Sequence, residues 1–321
     1  MMRFLSPRRY GGTVAPDPDP TGNVWLAYSY SGTHDFYVGN YDGSAWSSVS
    51  TGLADELTTG MIVRAGTKVY FKYSSNFYYA EWDDVTTWAT VAQAFSGSGT
   101  TIKSDGTYIY AAEPSGFPSK MTLPTGPDAS IGGFDPASRI HNIYINGGNY
   151  YGKKDAEGNS AKSIDGGATW SLTGAFPICN SATLDSEDGS RIVAAYRAAS
   201  GQIEIRYSDD LTDNWSSPAH AFGSAETMLQ NEGHRFHEGK YFVVSASGKC
   251  AYSTDGATWT NGATIPQTVN NVTYAIGKIV CGCAGSKLYQ TTDHGATWTE
   301  MTKDAGMVGA YINIFWIGEN P

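Results

Sequence analysis

The chain has 321 residues, a formal net charge of -10, a pI near 5.0 and only 16% charged side chains. Its longest basic runs are Arg8-Arg9 and Lys153-Lys154, which argues against a nucleic-acid partner, because phosphate binding needs clustered Lys and Arg that release counterions. Glycine reaches 38 residues and aromatics 13%, a composition of short strands and tight turns that argues against amphipathic helices.

Two markers set a period. Trp46, Trp88, Trp170, Trp215, Trp259 and Trp298 are separated by 42, 82, 45, 44 and 39 residues, the second gap being a double step. A glycine next to a strand-like run recurs at Gly22, Gly66, Gly106, Gly147, Gly189, Gly239 and Gly277 and fills that gap. Both markers give seven units of about 42 residues, the length of a four-stranded propeller blade. A blade has two apolar faces and cannot bury them alone, so blades stack around a ring.

In chain order, the N-terminal MMRFLSPRRYGG is basic but has no apolar stretch after it, so no export signal is expected. No later window approaches the roughly 18 apolar residues of a membrane span. The first blade is expected over 16–52, where Pro16, Pro18 and Pro20 remove ladder donors and make a poor central strand. The second follows over 57–94, and the third over 98–126 is the unit without its tryptophan. The fourth, 137–175, ends in SIDGGATW; the fifth is 180–222, the sixth 227–263 and the seventh 268–302. In the sixth unit the strands can be laid out residue by residue: His234 to His237, a turn at Glu238-Gly239, KYFVVSAS, a turn at Gly248, KCAYS and TWTN. A final segment, 308–318, holds AYINIFWIG and is apolar on both faces. It is expected to supply the missing strand of the first blade and close the ring. The predicted fold is one all-β domain, a seven-bladed β-propeller of four-stranded antiparallel blades.

The turn in SIDGGATW has a local logic. The Asp165 carboxylate is placed to accept hydrogen bonds from N–H groups of its own turn, Gly166 and Gly167 allow tight geometry, and Trp170 opens the next strand. TTDHGATW repeats it with Asp293 and Trp298, and STDGATW, with Asp255 and Trp259, is one residue shorter. Weaker copies pair Asp42 with Trp46, Asp84 with Trp88 and Asp210 with Trp215. The pattern resembles the Asp-box, the S/T-x-D-x-G-x-T-W bacterial neuraminidase repeat of sialidases and other propeller families. That resemblance implies turns between third and fourth strands on the outer part of each blade, with acids that clamp rather than catalyse.

A sialidase would further need an arginine cluster, an Arg-Ile-Pro element, an Asp acid/base and a Tyr/Glu nucleophile pair. RFLSPRRY lacks Arg-Ile-Pro, and Arg64, Arg139, Arg191, Arg197, Arg206 and Arg235 form no recognisable three-point pattern. Glycoside hydrolysis by two facing carboxylates stays open through loop acids such as Asp128, Asp135, Asp185, Glu187 and Glu232. There is no phosphate loop, nucleophile elbow or H-E-x-x-H. Cys179, Cys250, Cys281 and Cys283 contain no C-x-x-C pair and are expected as small buried thiols.

The residues expected to contact a ligand lie near the ring axis: Arg64, Arg139, His141, His234, Arg235 and His237. His234 and His237, three apart on one strand, point to opposite faces, so no shared metal is expected, nor any cofactor. The expected function is a non-enzymatic binding or assembly module. Propellers of this Gly/Ser/Thr/Tyr-rich kind resemble the Asp-box propeller proteins carried by tailed bacteriophages. The resemblance implies a virion tail, fibre or decoration protein, made in the host cytoplasm, whose partners are other virion or assembly proteins and a cell-surface glycan. The alternatives are a sialidase-like or other glycoside-processing enzyme, and a cytoplasmic scaffold.

Overall fold

The structure is a computed structural model. It describes residues 26–30, 33–39, 46–50, 61–65, 67–73, 76–81, 84–90, 101–104, 108–112, 119–122, 126–127, 140–146, 149–154, 159–165, 169, 171–175, 183–186, 190–198, 200–209, 214–229, 233–275, 277–303 and 312–316. Asp42, Arg139, Trp170, Cys179 and Asp210 lie outside these residues.

Among the described residues the strands form seven four-stranded antiparallel sheets, taken almost entirely in chain order. The first contains β1 (Leu26–Tyr30), β2 (Thr33–Gly39) and β3 (Trp46–Ser50). The second contains β4 (Met61–Ala65), β5 (Lys68–Tyr73), β6 (Asn76–Glu81) and β7 (Asp84–Thr90), and the third β8 (Thr101–Ser104), β9 (Tyr108–Ala112), β10 (Ser119–Thr122) and β11 (Gly126–Pro127). The fourth is β12 (Ile140–Asn146), β13 (Asn149–Lys154), β14 (Asn159–Ser163) and β15 (Ser171–Ala175). The fifth is β16 (Thr183–Asp185), β17 (Ile192–Arg197), β18 (Ile203–Ser208) and β19 (Ala219–His220). The sixth is β20 (His234–His237), β21 (Lys240–Val244), β22 (Cys250–Ser253) and β23 (Thr260–Asn261). The seventh is β24 (Val269–Ala275), β25 (Lys278–Cys283), β26 (Lys287–Thr291) and β27 (Thr299–Glu300).

One strand leaves chain order. β28 (Ile312–Trp316) pairs antiparallel with β1, Leu26 opposite Trp316 and Tyr30 opposite Ile312, and so completes the first sheet. The same strand packs beside β24 and β25 of the seventh sheet. First strands also lie against one another from sheet to sheet, β4 by β8, β8 by β12, β12 by β16 and β16 by β20.

The sheets stack because their central strands are apolar on both faces. In β21, Tyr241 and Val243 join a core cluster with Val193, Ala195, Ile203 and Ile205 of the fifth sheet. The alternate residues Phe242 and Val244 join a second cluster with Val272, Tyr274, Ile279 and Cys281 of the seventh. The two-residue period of a strand sends neighbours to opposite faces, and burial of each such side chain stabilises by about 1.5–3 kcal/mol. Cys250, Cys281 and Cys283 are free buried thiols in these strands; burial pushes Cys250 up to about 11 and Cys283 up to about 12. Among the described residues no helix is long and apolar enough to cross a membrane.

Turn chemistry explains where strands stop. Between β20 and β21, Glu238 (φ 45) and Gly239 (φ 81) both take positive φ, the requirement of the two-residue hairpin whose twist matches its strands. Between β26 and β27, the side chain of Asp293 organises the turn. Its Oδ1 accepts from Thr291 Oγ1 at 2.7 Å and Thr297 N at 2.9 Å, and its Oδ2 from Thr297 Oγ1 at 2.7 Å. Thr291 Oγ1 in turn accepts from the Gly295 N–H at 2.8 Å. Asp165 and Asp255 build the same clamp with Ser163 and Thr169, and with Ser253 and Thr258. The second sheet differs: Asp84 already stands in β7, opposite Glu81 in a tight hairpin, so the longer clamped turn has no room there.

Replacing Asp293 by Ala should destabilise the protein by about 2 kcal/mol in a urea titration at neutral pH, the scale of losing hydrogen bonds to a charged acceptor. Burial pushes the Asp293 carboxyl up, but the Thr291 and Thr297 bonds outweigh it and hold it at about 2, against an ordinary value of 3.8. A depressed carboxyl contributes stability above its unfolded value and loses it as pH falls. The variant's deficit should therefore close as pH falls from about 3.8 towards 2.

Candidate functional site

Among the described residues a group of titratable side chains surrounds β20. Alternation along HRFH sends His234 and Phe236 towards the fifth sheet and Arg235 and His237 towards the seventh. His234 is only 3% exposed, stacked on Tyr241 with ring centroids 6.2 Å apart and packed near Trp259. Neither of its ring nitrogens has a hydrogen-bond partner among the described residues. Burial holds it down at about 3. His234 is therefore buried between the fifth and sixth sheets.

On the other face, the His237 ring lies 5.6 Å from Tyr274 and 5.9 Å from His294. The exposed Arg235 guanidinium sits 5.7 Å from the Tyr274 ring. His294 Nε2 is 2.9 Å from the His237 carbonyl oxygen, so its Nε2–H donates there. Glu238 Oε1 accepts the Gly277 N–H at 2.5 Å, and its other oxygen is 3.8 Å from His237 Nε2. His237, Glu238, Gly277 and His294, with Lys278, Ile279, Thr291 and Thr292, line a small recess at the joint of the sixth and seventh sheets. Burial holds His237 at about 3, with His294 and Arg235 adding to the effect, and burial also lowers His294.

Of the other expected contact residues, Arg64 lies in β4 opposite Val69, and His141 lies in β12 where the register with β13 shifts. The structure thus brings Arg235 and His237 together around Tyr274, while His234 faces away from them. His294 was not singled out by the sequence. Its signal was the extra residue in TTDHGATW relative to STDGATW, which occupies a positive φ of 57.

A tyrosine–glutamate pair does occur, in the seam facing the other side of the fifth sheet. Tyr196 OH donates to Glu204 Oε2 at 2.5 Å and accepts from Arg206 Nε at 2.8 Å. Tyr196 is 2% exposed, and burial together with Glu204 raises its phenol above the ordinary value. A nucleophilic phenol needs an adjacent base and access to substrate; Tyr196 has the Glu204 carboxylate beside it but is buried.

A last cluster ties the connection after β19 to the loop between β21 and β22. Glu226 accepts from Lys249 Nζ at 2.7 Å, from Ser224 Oγ at 3.3 Å and from Ser247. Burial pushes this carboxyl up, and the Lys249 and Ser247 bonds outweigh it to hold it below the usual range. A glutamate engaged this fully fixes a loop and leaves no free base. Among the described residues no group of three or more His, Cys, Asp or Glu is arranged to hold a metal ion.

No protein-family model matches the sequence, and no curated protein matches it. Solved structures share its fold. A structure described as YCF48 bound to D1 peptide superposes with a TM-score of 0.56 over 78% of this chain and 84% of that one, at 16% identity. BamB from Moraxella catarrhalis gives 0.51 over 79% and 80% at 12% identity, and YCF48 from Cyanidioschyzon merolae gives 0.51 over 82% and 94% at 11%. At these identities the likeness is one of fold alone, and with the stacked four-stranded sheets it gives the chain the β-propeller fold.

Proposed function

We infer that the chain is a non-enzymatic binding and assembly module, a seven-bladed propeller of the Asp-box type that serves as a tail, fibre or decoration protein of a virion. Seven described four-stranded sheets, with β28 completing the first, support the blade number. The Ser/Thr–Asp–Thr clamps at Asp165, Asp255 and Asp293 support the Asp-box reading.

The observation that carries the non-enzymatic reading is what the reactive groups do. Tyr196 is buried beside Glu204, the clamp acids hold their own turns, Glu226 holds a loop, and His234 and His237 stay neutral between sheets. Among the described residues these groups serve the frame, which supports the outer surface as the functional part. A polypeptide partner is favoured by the similar fold solved with a D1 peptide bound, and a cell-surface glycan is the second ligand class. The resemblance of the repeated turn to phage-borne propellers supports the virion placement.

Mass spectrometry of purified particles from the source should find the chain in stoichiometric amount, and its absence there ends the virion reading. Sialoside and polysaccharide substrates should show no turnover. Turnover abolished by Tyr196→Phe would restore the enzyme reading.

A further inference from the structure

The joint between the sixth and seventh sheets has an unusual composition. A seam between blades is ordinarily closed by apolar groups, yet here two imidazoles meet at it, His237 from the end of β20 and His294 from the clamped turn before β27. Their contact is also the connection: His294 Nε2–H donates to the His237 carbonyl, and Glu238 reaches across to the Gly277 N–H. Both bonds run between the sheets.

The charged groups around the pair come from every neighbouring element. Arg235 on β20, Lys240 on β21 and Lys278 on β25 are cationic, while Glu238 in the hairpin turn and Asp293 beside His294 are anionic. Asp293 already accepts from Thr291 and Thr297, and Glu238 from Gly277. Lys278 is 7% exposed and donates to Gln290 at 3.3 Å. A proton added to either imidazole enters a partly buried site with three cations nearby, and a second proton sets like charges with ring centroids 5.9 Å apart.

We propose that His237, Glu238 and His294 form an acid-sensitive latch that releases the seventh sheet from the sixth when the two imidazoles take up protons. The closed, neutral state is the one described. Opening hydrates both rings and frees their usual basicity. The sign follows from linkage: the folded values lie below the ordinary histidine value of 6.5, so the latch is fully closed above about pH 6.5 and weakens as pH falls below it. Each extra proton bound in the open state multiplies the opening constant by about ten per pH unit, and two protons by up to about a hundred. The latch stands on the seam's own geometry and does not depend on the virion reading.

Cys250, Cys281 and Cys283 report on this seam, because all three belong to the core cluster between these sheets and are 0–1% exposed. The full-length protein would be labelled with 4,4′-dithiodipyridine between pH 7 and pH 4.5. Rates would be normalised to the same thiols in urea, with modified residues located by mass spectrometry. Normalised labelling of Cys250 and Cys281 should rise by more than tenfold per pH unit below about pH 6. Hydrogen exchange of β17 and β18 should stay slow over the same range.

The variant His294→Asn, chosen because Asn tolerates positive φ, should lose one power of the pH slope. His237→Gln with His294→Asn should be flat. A flat wild-type response overturns the latch, as does a double variant that keeps the wild-type slope. Exchange of β17 and β18 in step with thiol labelling overturns it too, since that is global unfolding. If the double variant does not fold, His294→Asn alone decides by whether its slope falls.

Discussion

Gly295→Ala is expected to destabilise the protein by about 2–5 kcal/mol, far more than adding a single methyl to an exposed turn. Two costs add. Gly295 has φ 86, a left-handed conformation that costs an L-residue about 1–2 kcal/mol. A Cβ there would also stand 2.6 Å from Cys250 Sγ and 3.1 Å from Phe242 Cε2, and overpacking of this kind costs about 1–3 kcal/mol. Cys250 has little room to yield, being 1% exposed with its Sγ donating to the Ala263 carbonyl at 3.2 Å.

An internal control separates the two costs. Gly239 has φ 81 but nothing within 4 Å of an added Cβ, so Gly239→Ala should show the backbone cost alone, about 1–2 kcal/mol. A double-mutant cycle with Cys250→Ala should recover the steric part of the Gly295 deficit and leave the rest. Urea unfolding at pH 7 measures the wild type and all four variants. Equal effects at Gly239 and Gly295 would mean that the clamped turn does not press on the preceding sheet.

That pressure accounts for the repetition of the turn. Gly256 makes the same approach one sheet earlier, where an added Cβ would meet Val193 Cγ2 at 2.4 Å. Trp259 packs against the cluster shared with the fifth sheet, and Trp298 donates from Nε1 to the Ala263 carbonyl of the sixth at 3.1 Å. Clamp, glycine and tryptophan thus act together. The acid fixes the turn, the glycine lets it sit against the sheet before it, and the indole covers the seam.

Local features were legible in the sequence because their chemistry lies within a few residues. Asp165 reaches Thr169 four positions on, and strand alternation alone separates His234 from His237. Long-range contacts were not legible. His294 meets His237 from 57 residues away, and Arg191, held bidentately by Asp209, donates Nη1–H to the Asp255 carbonyl from 64 residues away. No periodicity encodes such pairs; they arise only when one sheet is laid on the next. Burial of His234 was hidden for the same reason, since a strand with Arg235 at its second position reads as polar until the fifth sheet covers one face.

Removing residues 308–321 is expected to abolish cooperative unfolding. β28 forms a five-residue antiparallel ladder with β1 and lies beside β24 and β25. Its loss leaves β1 with an unpaired edge and uncovers the seventh sheet at once, so two faces are exposed where one strand is deleted. Sheets that contact only their neighbours add stability pairwise, and the total margin of a folded domain is about 5–15 kcal/mol. Breaking the junction that joins the last sheet to the first removes the contact that makes the stack a ring, and sheets next to the break then open more readily than those far from it. A chain ending at residue 307 should show a broad, low-amplitude change in circular dichroism on heating, with the first and seventh sheets exchanging their amides fastest. A peptide of residues 308–321 added in trans should sharpen the transition and raise its midpoint with peptide concentration, because a ligand that binds only the folded state stabilises it by mass action. A truncated chain that unfolds at the wild-type midpoint, with or without peptide, would show that the first sheet is stable without β28.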